Sequence, residues 1–165
     1  YVLADEDMFL LKAVSGGDLG SGRRRDIEDM RMYAQRGLTY EAIIEEIEEQ
    51  RPFNTSSTEA RHIRDRSHPL FAIETAVQSL SGLPTSFTTR ISSLTTEFET
   101  EYFVLGAIDD GLHDDASIRE SVLSNVRALS DDDQQAVSKA IDRLIEKQIL
   151  ERGSDSDSPR LKLAE

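Results

Sequence analysis

Cysteine is absent from the 165 residues, which excludes both a disulfide framework and a thiolate metal site. No run of about 18 apolar residues occurs, so no segment is expected to span a membrane. No secretory signal is visible either. Together these absences predict a soluble, cytoplasmic protein with no membrane partner. The three histidines, His62, His68 and His113, are scattered. His62 and His68 stand apart across an expected break and miss the i, i+4 spacing of a helical zinc pair. No nucleophile elbow, Walker loop or Rossmann glycine pattern is present, and no internal repeat or low-complexity segment interrupts the chain.

Lysine is scarce. Of 19 basic residues only Lys12, Lys139, Lys147 and Lys162 are lysines, against 32 acidic residues and a formal charge of −13. The acids are spread along the whole chain instead of forming one acidic tail. Carboxylates hold hydrated cations, and salt screens the repulsion that would otherwise oppose a compact acidic chain. The composition therefore reads as that of a protein suited to concentrated salt.

The apolar periodicity is helical through most of the chain. Asp5 to Val14 opens with Asp5, Glu6 and Asp7, which suit the positive end of a helix dipole. Gly16 to Gly22, with four glycines in seven residues, is expected to be a loop. A second helix begins at Arg23, with Ile27, Met30 and Ala34 inward, and Gly37 caps its end. A third follows Thr39, with Ala42, Ile43 and Ile47 on one face and Glu41, Glu45, Glu46, Glu48 and Glu49 outside, and Pro52 stops it. Asn54 to Arg66 is polar and reads as a linker. From Ser67, as N-cap, a helix runs to about Leu80, with Leu70, Ile73, Ala76, Val77 and Leu80 inward. Ile91, Leu94 and Phe98 predict another, and Glu101 to Asp110 a separate short one. Ser117 with Glu120 reads as a capping box. A long helix is expected over Asp131 to Gln148, and Ile149–Arg152 with Arg160–Leu163 read as a hairpin.

One constellation points to chemistry. Lys12 ends the first helix pattern, the glycine stretch follows, and Arg23, Arg25, Asp26 and Asp29 open the next helix. Asp26 and Asp29 lie three apart, so they share a helix face. A lysine and arginines facing a polar cleft can hold a triphosphate, and the aspartates can fix those cations or activate a hydroxyl. The expected geometry places the Lys12 amine and the Asp26 carboxylate in a common pocket. The plainer alternative is a surface lysine, with the aspartates as partners of the helix dipole.

Over residues 1–50 these features resemble the minimal nucleotidyltransferase superfamily, closest to the branch of AbiEii-type abortive-infection toxins. Those proteins carry a helix with a lysine, then an Arg-x-Lys/Arg-Asp-apolar-x-Asp-apolar segment. Lys12 matches the first. Arg23, Arg25, Asp26 and Asp29 match the second, with Ile27 and Met30 at the apolar positions. The resemblance implies that Lys12 contacts nucleotide phosphates, that Asp26 is a second active-site group, and that Asp29, Arg23 and Arg25 support it. It also implies a nucleoside triphosphate and magnesium for a full-length enzyme. The family's metal site, a Gly-Ser followed by Asp-x-Asp, precedes the lysine, and here Tyr1 leads directly into the helix. The natural protein is therefore expected to extend upstream, and this chain to be inactive alone and without a metal site or cofactor of its own. Gly153-Ser154-Asp155-Ser156-Asp157 lacks the flanking strand and helix of that motif and reads as the hairpin tip.

The last third, helix–helix–helix–hairpin, resembles a winged helix. The exposed face of its third helix would offer Asp131, Asp132, Asp133, Gln134, Gln135, Lys139 and Arg143. Three acids at the leading end would meet phosphates badly, which disfavours nucleic acid and favours a protein partner or homo-oligomer. The expected organisation is mainly α: residues 1–52 as the helical part of a nucleotidyltransferase-like domain, 53–66 as linker, and 67–165 as a winged-helix-like domain with a small terminal β-hairpin. The alternative function is a non-enzymatic module for protein or DNA contact.

Overall fold

The computed structural model describes residues 3–17, 24–49, 69–130, 132–153 and 160–164. The described chain is mainly helical, with one small antiparallel strand pair near its C-terminal end. Its elements are α1 (Asp5–Gly17), α2 (Arg24–Gln35), α3 (Tyr40–Glu49), α4 (Pro69–Gln78), α5 (Thr85–Asp109), α6 (Asp115–Asn125), α7 (Gln134–Glu146), β1 (Leu150–Arg152) and β2 (Leu161–Leu163). Among the described residues no helix is long and apolar enough to cross a membrane. The expected linker at 53–66 and the Ser67 cap lie outside the described residues. Packing divides the chain inside α5, between Thr95 and Thr96, and α4 belongs with α1–α3.

In the first unit α1 packs against α2, α3 and α4. Phe9 and Ala13, four apart on α1, are fully buried. Met30 of α2, Ile43 and Ile47 of α3, and Leu70, Ile73, Ala76 and Val77 of α4 are buried as their spacing predicts. Each large side chain among them contributes about 1.5–3 kcal/mol by leaving water. Phe87 of α5 meets the Phe9 ring edge-on at 6.3 Å and the Tyr40 ring at 4.7 Å. Ala42 departs from expectation: it is exposed, because the inward stripe of α3 follows Ile43 and Ile47.

The start of the glycine stretch is not a loop. Gly16 and Gly17 form the last turn of α1. A Cβ on Gly17 would overlap the Ala72 carbonyl, and one on Gly16 would come within 2.8 Å of Ile27 Cδ1. The helical cost of glycine, about 1 kcal/mol each, is set against the close approach of α4 and α2 that only glycine permits. Gly37, with φ +88°, ends α2 as predicted.

The two helices expected over Ile91–Asp110 are one. α5 contains no glycine or proline between Ile91 and Leu105. Two of its buried threonines are satisfied locally: the Thr95 hydroxyl donates to Ile91 O at 3.0 Å and Thr100 to Thr96 O at 2.6 Å. Such back-bonding lets threonine sit in a helix interior.

The second unit has its own core. Val104, Leu105 and Ile108 of α5 join Ile118 and Val122 of α6, Val137, Ala140, Ile141 and Leu144 of α7, and Leu150 and Leu161 of the strands. α7 is shorter than predicted at both ends. The cap of α6 is Asp114, not Ser117: its Oδ1 accepts the Ser117 N–H at 2.8 Å. β1 and β2 pair in register Leu150↔Leu163 and Arg152↔Leu161, as the hairpin reading predicts. Its tip, 154–159, lies outside the described residues. A further bridge joins Asp114 to Arg160, and Leu161 N donates to His113 O at 2.9 Å. The segment before α6 thereby adds to the outer edge of β2.

Candidate functional site

Three of the sequence-predicted residues of the first unit, Lys12, Asp26 and Asp29, meet. Lys12 lies one turn before Gly16, whose missing side chain brings α2 close. Asp26 and Asp29, three apart, face back toward α1. The Lys12 Nζ stands 2.9 Å from Asp26 Oδ1 and 2.9 Å from Asp29 Oδ2, so one ammonium bridges both carboxylates. The three side chains are 27%, 18% and 28% exposed, which keeps the trio within reach of solvent. Asp29 and then Asp26, by hydrogen bonding to the ammonium, hold Lys12 above its usual 10.5.

The chemistry available follows from the charges. Lys12, Asp26 and Asp29 together carry a formal −1. Two of the ammonium's three N–H donors serve the carboxylates, so the third can donate to a phosphate oxygen, and turning further toward the phosphate would release a carboxylate to accept a proton or hydrogen bond. A lysine, with three rotatable donors on a flexible stem, can make that turn more readily than a planar arginine fork.

Of the supporting arginines, the one described is not gathered into this cluster. Arg25 is exposed on the outward side of α2, and Arg23 lies outside the described residues. Among the described residues no group of three or more carboxylate, imidazole or thiol side chains is placed to hold a metal ion. Asp26 and Asp29 are each engaged by Lys12.

One feature near the site was not legible. Glu6 of α1 accepts the Thr39 backbone N–H at 2.8 Å, and Asp5 pairs with Arg36 at 3.3 Å. The first turn of α1 therefore closes the α2–α3 turn from outside. That hydrogen bond holds Glu6 below its usual 4.5. The sequence signal was only an acidic first turn, which reads equally well as a dipole partner.

In the second unit, Arg143 departs from the exposed face expected of it. Its Nε donates to Glu101 Oε1 of α5 at 2.7 Å, and Glu101 is 4% exposed. Asp133 turns back on Ser130, accepting its N–H at 2.7 Å, and Asp131 lies outside the described residues. The outward side of α7 is left with Gln135, Lys139, Asp142 and Glu146. No family model, curated protein or solved structure matches this chain.

Proposed function

We propose that the first unit is the helical part of a nucleotidyltransferase-like domain, related to the AbiEii-type toxins, in which Lys12 contacts nucleotide phosphates. Asp26 acts as the second site group, and Asp29 supports it. The observation that carries this reading is the Lys12 ammonium bridging Asp26 and Asp29 at 2.9 Å each. The motif thus unites its three central residues, although they lie on two helices. Their work is to orient a triphosphate and to free a carboxylate as the ammonium turns toward it. Transfer of label from each radiolabelled nucleoside triphosphate by the natural full-length protein tests the reading. Activity lost in Lys12→Met and Asp26→Asn, with the fold retained by circular dichroism, is expected. Equal activity in both variants would remove these residues from the site.

A second reading concerns the other unit: a winged-helix-like module that contacts protein. What supports it is the order α5–bridge–α6–α7–β1–β2, with the single bridge Asp114↔Arg160 beside the strand pair. Lys139, Asp142 and Glu146 leave the outward side of α7 at −1, unsuited to phosphates. Titration with duplex DNA at low salt should show no binding. Tight binding there would overturn the preference for protein.

A further inference from the structure

The outward side of α2 breaks the rule of an acidic surface. Arg24, Glu28, Arg31 and Gln35 follow i, i+4, i+7, i+11, all exposed, with Met32 beside them 43% exposed. Glu28 is partnered by Arg24 at 3.4 Å. Arg25 extends this exposed side, which carries three arginines and one glutamate in a chain of net −13. The outward side of α3 is its counterpart. Glu41, Glu45 and Glu49 follow i, i+4, i+8, all exposed, beside the exposed Ala42. On helical rise, Arg24 to Arg31 spans about 10.5 Å and Glu41 to Glu49 about 12 Å. One face therefore offers an exposed methionine at the end of a row of cations, and the other an exposed alanine at the start of a row of anions, over similar lengths.

We propose that these faces are the two halves of a self-complementary interface: α2 of one copy docks on α3 of a second copy, and the reverse contact closes the pair about a two-fold axis. Closed two-fold dimers are the commonest symmetric assemblies, and each contact then appears twice. Met32 packs over Ala42 while the arginines meet the glutamates. Repulsion between the two acidic chains acts mostly over distances beyond the Debye length, about 8 Å at physiological ionic strength, whereas the paired charges are in contact. The inference is independent of the nucleotide reading, since Lys12, Asp26 and Asp29 take no part in it.

Sedimentation equilibrium of the whole chain, with circular dichroism as a check on fold, tests the interface. The unaltered chain should dimerise. Arg24→Glu/Arg31→Glu and, separately, Glu41→Arg/Glu45→Arg should each weaken self-association by about a hundredfold, because like charges then face each other. An equimolar mixture of the two variants should restore the dimer, since reversed faces complement one another in both contacts. A monomeric unaltered chain, or a mixture that stays monomeric while both variants remain helical, overturns the proposal.

Discussion

At the scale of single residues, the decisive contact is an ammonium shared by two carboxylates. Sequence spacing places Asp26 and Asp29 on one helix face, and the structure brings both to Lys12 at 2.9 Å. This part of the site was legible because i, i+3 periodicity is local. The contribution of Gly16 and Gly17 was not, because a glycine chosen for helix packing looks the same in sequence as one chosen for a turn. The role of Glu6 was hidden for a similar reason: its partner, the Thr39 N–H, is a backbone group on another element. The two ties give opposite pH dependence. Lys12 is raised above 10.5, so its contribution to stability is complete below 10.5 and is lost as pH rises through the folded value. Glu6 is lowered below 4.5, so its contribution is complete above 4.5 and is lost as pH falls through the folded value. Urea unfolding across pH should therefore show a shallower alkaline decline in Lys12→Met and a shallower acid decline in Glu6→Gln. Unchanged slopes in both variants would show that neither tie persists in solution.

At the scale of elements, helix existence was readable and helix ends were less so. α2 and α4 follow their apolar spacing, and Gly37 ends α2 at φ +88°. α5 was read as two helices because polar residues interrupt its apolar pattern. The backbone runs on because Thr95 and Thr100 donate to carbonyls of the preceding turn. The cap of α6 moved to Asp114 because a carboxylate accepts a backbone N–H at least as well as a hydroxyl. α7 and α5 are joined by Arg143 and Glu101, a pair in which the carboxylate is almost wholly buried. Removing one member leaves a buried charge without that partner, whereas removing both exchanges the pair for apolar packing. Arg143→Met is accordingly expected to cost about 3 kcal/mol in chemical denaturation. Glu101→Met/Arg143→Met should recover most of that loss. A double variant destabilised by the sum of its two single variants would mean that the pair is not coupled.

At the scale of the whole molecule, composition predicted the mainly helical architecture with its terminal hairpin but not the division of the chain. The polar stretch at 53–66 looks like a boundary, yet α4 buries Leu70, Ile73, Ala76 and Val77 in the unit that α1 organises. Apolar periodicity tells which face of α4 turns inward, not which neighbour receives it. The charge of −13 has a consequence at this scale too. Self-repulsion among carboxylates should make the fold salt-dependent, with the melting temperature rising steadily from about 0.1 M to about 1 M potassium chloride as the Debye length falls from about 10 Å to about 3 Å. A flat profile would separate the acidic composition from any adaptation to salt. On the proposed function, the Lys12–Asp26–Asp29 cluster faces nucleotide phosphates. Nitrogen-15 correlation spectra of this chain, titrated with a magnesium-bound nucleoside triphosphate, test it most directly. Shifts concentrated in the last turns of α1 and the first turns of α2, and absent from Lys12→Met, are predicted. No shifts there, or the same shifts in the variant, would contradict it.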